Sequence, residues 1–344
     1  MRKIQKYIIV LCALAVSFCF IIGCTTLDKD SKISNEEVKS VRFAEDVEDL
    51  SAWVTYWNVD VDDEIKVLKP KLESISYFEA YFDSENELYV PDELVDYYKE
   101  TKDNKYEKYI TIVNDKKEDA GEVSLKSVQL LYDIIGDSES ASKHIDNIIN
   151  MQKEYGFDGI EIDYENIKKD MQLWNRYADF INKLYTRCRE ENIKLRVVLE
   201  PGIPIEDIKL EEGPVYVIMC YNLHGTSTDP GEKANEEFIQ KTIDKMKVIP
   251  GEKEFALSTG GFDWDENNKV VAVDEKTAVT LADKYNAYET RDSNSMYIKF
   301  EYSDVDGKKH EVWYADAQTL ERLIKVIDRN GYKVSLWKLG GNLF

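Results

Sequence analysis

The 344-residue chain predicts a (β/α)8 TIM barrel of the α/β class, with a small hairpin-containing α+β insertion between strands seven and eight. Eight β-rich runs alternate with longer helical patterns. Most of the runs are apolar throughout, as is typical of strands buried on both faces of a parallel sheet. The strand count and the chain length both match a barrel. An open doubly wound sheet is the alternative, although no glycine-rich phosphate fingerprint follows the first strand.

The strand candidates are short runs of β-branched and aromatic residues bounded by polar residues. They cover residues 51–59, 74–82, 108–114, 158–165, 193–200, 215–222, 255–264 and 333–340. Helical patterns lie between them. Residues 140–156 end at Gly156, a residue suited to the position just past a helix. Residues 171–192 place Leu173 and Phe180 on one apolar face.

Residues 295–316 break the alternation of strands and helices. They form two alternating runs around Asp306 and Gly307, a pair typical of a tight turn between antiparallel strands. Because this segment falls between the seventh and eighth strands, we predict an inserted module at about residues 285–315. The barrel domain itself is predicted to span residues 49–344.

Residues 1–23 have the pattern of a signal peptide. The basic stretch MRKIQKY precedes an apolar run of limited length that ends in IIGC. This ending resembles the lipobox of bacterial lipoproteins, so we expect cleavage to leave Cys24 as the lipid-bearing N-terminus. An uncleaved anchor helix is the alternative. Residues 24–48 are polar and predict a tether, which would hold the domain on the extracytoplasmic face of the bacterial cell membrane.

The chain is strongly acidic, with a formal net charge of −22. Without the leader it carries three fewer positive charges, and so about −25. This charge argues against nucleic acid and anionic lipid headgroups as partners, and it is compatible with a neutral substrate.

Cysteine usage gives no disulfide framework and no metal cluster. Two of the five cysteines lie in the predicted leader and Cys24 takes the lipid. Cys188 and Cys220 remain, both within apolar patterns. We expect buried free thiols at these positions, with one disulfide between them as the alternative.

The segment YGFDGIEIDYEN, residues 155–166, places acids in what otherwise resembles a buried strand. Since alternate strand residues face opposite sides, Glu161, Asp163 and Glu165 share a face with Gly159. In a barrel this face points inward, with Glu165 nearest to the C-terminal rim where barrel active sites lie. Carboxylates this close cannot all ionise, so at least one stays protonated near neutral pH, as a general acid does. A solvent-exposed strand with ordinary surface acids is the alternative.

FDGIEIDYE resembles the signature D-G-x-D-x-D-x-E of glycoside hydrolase family 18, the chitinase-like family, with Glu161 where the family usually has Asp. The resemblance continues downstream and covers nearly the whole predicted barrel. IMCYN is similar to the sixth-strand motif M-x-Y-D/N, which aligns Met219, Tyr221 and Asn222. SLWKLG is similar to the eighth-strand motif W-x-L-G, which aligns Trp337.

The resemblance implies a retaining glycosidase that cleaves β-1,4 bonds next to N-acetylglucosamine, with the substrate's own 2-acetamido group as nucleophile. It implies that Glu165 protonates the leaving glycosidic oxygen and later activates water. Asp163 would orient the acetamido nitrogen and stabilise the oxazolinium intermediate. Glu161 would lie behind Asp163 and share a proton with it.

The other motif positions are candidates for substrate contact. Tyr221 would donate to the acetamido carbonyl, and Asn222 would contact the same sugar. Trp337 would form the apolar floor of the pocket, and Met219 and Trp57 are further substrate-binding candidates. A place in the ordinary core is the alternative for the aromatic residues.

Two departures bear on which branch of the family the chain resembles. Asn222 replaces the commoner Asp, and TIVND stands on the third strand instead of a Gly-Gly motif. TIVND is closer to the bacterial envelope and spore-cortex branch than to secreted chitinases. Asp158 has the opposite parity to the inward acids and is expected to cap the entry of the strand.

The predicted substrate is an N-acetylglucosamine-containing glycan, namely peptidoglycan, a chitin oligosaccharide or a related glycan. No metal-ligand spacing is present, so we expect no cofactor and no metal; a monomer is expected. A non-catalytic glycan-binding lipoprotein on the same barrel is the main alternative. A transport-type solute-binding lipoprotein would need two lobes of similar size, which the strand order does not suggest.

Overall fold

The computed structural model describes residues 43, 47–117, 122–167 and 169–344. The predicted signal peptide and the lipid-bearing Cys24 lie outside the described residues, as does most of the predicted tether. None of the helices in the described ranges is both long enough and apolar enough to cross a membrane.

Eight parallel strands form a closed barrel. They are β1 (Leu50–Thr55), β2 (Leu72–Phe82), β3 (Glu107–Lys117), β4 (Gly159–Asp163), β5 (Lys194–Leu199), β6 (Val215–Met219), β7 (Lys253–Ser258) and β8 (Lys333–Trp337). Each strand pairs with the next along the chain, and β8 pairs with β1 to close the ring. The predicted barrel is therefore confirmed, and a structural strand lies within or beside each of the eight candidates.

Eight helices occur in the part of the chain that the structure describes. They are α1 (Asp62–Leu68), α2 (Asp92–Thr101), α3 (Val128–Ile135), α4 (Ser138–Tyr155), α5 (Met171–Glu191), α6 (Glu236–Met246), α7 (Glu275–Tyr285) and α8 (Ala317–Arg329). As predicted, α4 ends at Gly156, whose φ of 82° is left-handed, and α5 buries Leu173 and Phe180. Residues 200–214, all described, join β5 to β6 without a helix.

A five-stranded antiparallel sheet separates β7 from β8 in the chain, and α7 packs against it. Its strands are Gly260–Asp265, Val270–Val273, Thr290–Arg291, Ile298–Ser303 and Lys309–Ala315. The predicted hairpin is the pair that flanks Gly307. The sheet begins at Gly260, so the insertion is larger than the predicted residues 285–315. Residues 255–264 resemble one continuous strand because the apolar pattern continues across the bend at Gly260, where φ is 57°.

Side chains inside the barrel form two layers of different chemistry. The deeper layer is polar, with Arg196 at its centre. The layer nearer to the carboxyl ends of the strands is an aromatic and aliphatic cluster. It contains Trp53, Phe78, Tyr81, Val113, Val198, Val217, Met219, Tyr221 and Ala256, with Trp337 packed against it. The acids of β4 lie against both layers.

Candidate active site

Strand β4 brings the acidic segment into the barrel wall. Ile160 is fully buried in the main apolar core, whereas Glu161 and Asp163 have the opposite parity and face the interior. Gly159 has no room for a side chain, because a Cβ there would lie 2.4 Å from the ring of Tyr109. The glycine of the motif is therefore needed for the close packing of β3 against β4.

Glu161 is fully buried and its carboxylate accepts four hydrogen bonds. The donors are Trp53 Nε1 (2.6 Å), Thr111 Oγ1 (2.8 Å), Ser76 Oγ (3.0 Å) and Arg196 Nε (2.8 Å). Each of the two carboxyl oxygens therefore has two donors. Among the described residues no hydrogen bond joins Glu161 to Asp163, because Glu161 contacts the guanidinium of β5 instead. The sharing of a proton between the two acids stays a prediction.

Arg196 joins two carboxylates in the polar layer of the barrel. Its Nη1 lies 2.9 Å from each oxygen of Glu254, and its Nε donates to Glu161. Although burial alone would lower it, the negative charges of Glu254 and Glu161 raise the pKa of Arg196 above its ordinary value. The sequence carried a signal for this residue, namely an arginine at an inward position of the apolar run IKLRVVLE.

Asp163 lies one inward position nearer to the mouth than Glu161. Its side chain is buried, and its Oδ1 accepts no hydrogen bond from any residue that the structure describes. Burial, reinforced by the negative charge of Glu165, raises the pKa of Asp163 well above its ordinary value. Because a buried acceptor without a donor is costly, a ligand N–H placed at Oδ1 would be favourable.

Glu165 lies just past the end of β4 and is held by two neighbours. Its backbone N–H donates to Asn114 Oδ1 (2.9 Å), and Asn114 Nδ2 donates to its carbonyl oxygen (3.1 Å). Its carboxylate forms an ion pair with the ammonium of Lys126. Burial raises the pKa of Glu165, and Lys126 opposes part of that rise. Sequence reasoning missed both partners: Asn114 lies in the TIVND segment, and Lys126 lies in a loop.

Glu79, on β2, is a second protonatable acid in this region. It is buried, and burial together with the carboxylate of Asp115 raises the pKa of Glu79 to about 8. The cations of Lys117 and Lys126 act in the opposite direction. No motif marks Glu79, and the signal in the sequence is only an acid within the apolar run SISYFEAYF.

An aromatic surface extends from the interior to the rim. The ring of Trp337 lies 4.6 Å from that of Phe78 and 5.8 Å from that of Trp53, both edge-on. Trp57 contacts the other side of Phe78 at 5.8 Å and is 51% exposed. Trp337 therefore lies against the buried aromatic cluster, and Trp57 is exposed beside Phe78.

Tyr221 and Met219 belong to the same aromatic cluster, and both are buried. Burial, together with the charges of Asp163 and Glu165, raises the pKa of the Tyr221 phenol well above its ordinary value, so the phenol and the two acids are close. Asn222 is exposed just beyond them, with a left-handed φ of 65°. The structure thus brings Tyr221 together with the acids and leaves Asn222 at the rim.

A cavity of about 480 Å³ is lined by residues of α5, of the loop before it and of the segment after β5. Glu200 is part of its lining, and Glu200 Oε2 accepts a hydrogen bond from the backbone N–H of Asn166 (3.0 Å), the residue that follows Glu165. This hydrogen bond joins the segment after β5 to the end of the acidic segment.

The structure also shows where Asp158 and the two predicted free cysteines lie. Asp158 accepts a hydrogen bond from the backbone N–H of Lys108 (2.9 Å), which places it at the entry of β4 as expected. Cys188 and Cys220 are free and buried, as predicted. Among the described residues, no group of three His, Cys, Asp or Glu side chains is arranged to hold a metal ion.

The chain is distantly similar in sequence to curated bacterial proteins. No family model matches the chain. The cortical fragment-lytic enzyme of Bacillus subtilis is 23% identical over 238 residues, which are 60% of this chain and 52% of that protein. The chain spans about half the length of the curated relatives that it matches.

Solved structures resemble the whole barrel. A chitinase from Chromobacterium violaceum superposes with a TM-score of 0.72 and 17% identity, covering 86% of this chain and 96% of that one. The spore cortex-lytic enzyme of Bacillus cereus gives a TM-score of 0.69 and 22% identity, covering 86% of this chain and 71% of that one. At these identities the likeness shows the fold, which is the (β/α)8 barrel of those proteins.

Proposed function

We propose that this chain is a glycoside hydrolase acting on N-acetylglucosamine-containing glycans, by the retaining route in which the substrate's 2-acetamido group is the nucleophile. The observation that carries the proposal is the pairing of Asp163, whose buried Oδ1 has no donor within the described part of the chain, with Glu165 at the same mouth. The names of the relatives, cortical fragment-lytic enzyme and chitinase, support the same chemistry.

In the proposed mechanism Glu165 is the general acid. Burial raises its pKa, which favours the protonated carboxyl that a general acid needs in order to donate to the leaving glycosidic oxygen. Once the leaving group departs, the same residue as a carboxylate takes a proton from the incoming water. One group therefore serves both steps of the reaction.

Asp163 and Tyr221 would position the acetamido group. Asp163 Oδ1 would accept the acetamido N–H, which satisfies its missing hydrogen bond. The positive charge of the oxazolinium would favour the ionised form of Asp163, which would in turn stabilise that intermediate. The Tyr221 phenol stays protonated and can donate to the acetamido oxygen. Trp337 would support the apolar face of the sugar from below. Glu161 would lie under Asp163, with its side chain held in place by four hydrogen bonds.

A non-catalytic glycan-binding protein on the same barrel is less well supported. Loss of the acid would be the simplest route to such a protein, but Glu165 is present and Asn114 holds its backbone in place. The names of the relatives described above all denote enzymes.

Product stereochemistry tests the proposed route. Wild-type protein is incubated with chitooligosaccharides and with peptidoglycan glycan strands, and new reducing ends are followed by ¹H NMR. We expect the β-anomer to form first and to mutarotate afterwards, because two displacements at the anomeric carbon retain its configuration. Substrates whose N-acetyl groups are replaced by N-trifluoroacetyl groups should be cleaved more slowly, since the fluorines weaken the nucleophilic oxygen. Initial release of the α-anomer, or equal rates for the two substrates, would contradict the route.

Substitution of Lys126 by Met should move the pH profile of hydrolysis. Glu165 must be protonated to act as an acid, so activity falls as the pH rises through its pKa. Lys126 favours the ionised form of Glu165, and its removal should therefore shift the alkaline limb upward, by about one pH unit. The measurement is kcat/KM between pH 4 and pH 9. Lys143→Met, which removes an exposed ion pair with Glu87, is the matched control. An unchanged or downward-shifted alkaline limb in Lys126→Met would contradict the assignment of Glu165 as the acid.

A further inference from the structure

Lys233 is a buried lysine in the connection between β6 and α6. Its side chain is almost completely enclosed, with 8% of the residue exposed. Its ammonium donates to Ser258 Oγ (3.0 Å) and to the carbonyl oxygen of Thr259 (3.2 Å), and it lies 4.5 Å from the centre of the Phe262 ring. All of these neighbours are uncharged.

The ammonium of Lys233 lies at the mouth of the barrel. Ala256 faces the interior, and Ser258, two residues further along β7, faces the same side. Ser258 is also the register partner of Trp337 on β8. The backbone carbonyl of Lys233 accepts from Leu223, which ties this connection to the segment just after Tyr221. Lys233 therefore lies beside the proposed sugar floor.

The charge of Lys233 is not neutralised within the described residues. No carboxylate among them forms an ion pair with it, and the other charged group that acts on it is a second cation, Lys338. Burial and the Lys338 ammonium together lower the pKa of Lys233 to about 7. A buried charge without a counter-ion is unfavourable unless a ligand supplies one.

Lys338 extends the positive region along the rim. It follows Trp337 directly, and its ammonium lies 5.9 Å from the centre of the Trp57 ring. The whole chain carries a net charge of −22, which repels acidic ligands at long range. Lys338 is therefore a second cation at the end of β8, and the carboxylates of Asp274 and Glu64 act on it.

We propose that Lys233, assisted by Lys338, binds a carboxylate on the glycan, so that the site favours acidic over neutral N-acetylglucosamine polymers. This inference rests on the proposed function and specifies its substrate class. Two glycan types carry such a group: strands with a lactyl ether, as on muramic acid residues, and strands with a C6 uronate.

The test is a comparison of matched ligands by isothermal titration calorimetry, using the full chain with Glu165→Gln so that the ligands are not cleaved. The ligands are a tetrasaccharide of alternating N-acetylglucosamine and N-acetylmuramic acid, its methyl ester, chitotetraose, and chitotetraose oxidised at C6. We expect the free acid to bind about tenfold more tightly than its ester, as for loss of one ionic contact. Tighter binding of the lactyl acid or of the uronate identifies the source of the carboxylate.

Adding Lys233→Met should reduce the acid-to-ester affinity ratio to about one. Lys253→Met is the matched control, because its ammonium also donates to two carbonyl oxygens but lies at the opposite end of β7. It should keep the full ratio. Thermal unfolding checks the fold, and Lys233→Met should melt no lower than its parent because it removes an unpaired buried charge. If Lys233→Met fails to fold, Lys338→Met is measured instead. We expect it to lower the acid-to-ester affinity ratio part of the way to one.

Equal affinities for acid and ester in the Glu165→Gln parent, or an unchanged ratio in both lysine variants, would overturn the inference. Hydrolysis of chitotetraose by the wild-type chain is scored separately. If that chain binds the glycans with the predicted preference but cleaves none of them, the proposed function fails while the carboxylate site stands.

Discussion

Glu165→Gln is expected to lower kcat for glycan hydrolysis by about a thousandfold, since a positioned general acid typically contributes two to four orders of magnitude. Glutamine has nearly the same shape as glutamic acid but cannot give a proton to the leaving oxygen or take one from water. Its amide can occupy the same space beside Lys126. Oligosaccharide affinity and the melting temperature should therefore stay close to those of the wild type.

The measurement is turnover of chitooligosaccharides and peptidoglycan strands at saturating concentration. Asp158→Asn is the matched control, because it is the same acid-to-amide change within the same segment, at a carboxylate that contacts the backbone N–H and the ammonium of Lys108 at the entry of β4. It should keep nearly full activity. Comparable turnover by Glu165→Gln and wild type would refute the assignment of the acid.

Arg196→Met is expected to lower the free energy of unfolding by about 3–5 kcal/mol, the usual effect of removing one partner from a buried ion pair. The substitution leaves Glu161 and Glu254 in the barrel interior without the guanidinium that lies between them. Methionine fills part of the volume but supplies no donor. Urea unfolding followed by circular dichroism measures the change.

The matched control for that experiment is Arg322→Met, which removes an ion pair between α8 and α6. Arg322 and Glu236 have 44% and 43% of their side chains exposed, so the loss should be within about 1 kcal/mol. If Arg196→Met unfolds at the same urea concentration as Arg322→Met, the polar layer does not stabilise the barrel as described.

The barrel and the acidic segment could be predicted because their signals are local. Alternating apolar runs specify strands wherever they occur, and the period of two in residues 159–165 alone puts Glu161, Asp163 and Glu165 on one face. Gly156 likewise marks the end of α4 without reference to anything distant. Predictions of this kind depend on neighbours in the chain, and the structure confirms the strand, the helix end and the fold.

The partners of those residues could not be predicted, because they come from distant strands and loops. Glu161 is separated from Arg196 by 35 residues and from Trp53 by 108, and no pattern in one sequence pairs them. A proton shared between Glu161 and Asp163 was expected because the sequence pattern shows only the neighbours within β4. Lys126 and Lys233 lie in loops between strands and helices. The sequence spacing of loop residues does not predict which atoms their side chains contact.

The two hydrogen bonds between Asn114 and the backbone of Glu165 have a mechanical consequence. β4 ends at Asp163, so Glu165 lies beyond the backbone hydrogen bonds that pair β4 with its neighbouring strands. The side-chain amide of Asn114, on β3, holds the backbone of Glu165 in place. Three rotatable bonds separate the Cα of Glu165 from its carboxylate oxygens. Rotation about those bonds would let the carboxyl group of Glu165 move from the Lys126 ammonium to a bound sugar while the backbone stays in place. A fixed backbone with a rotatable side chain suits the proposed role of Glu165, which donates a proton in the first step and accepts one from water in the second.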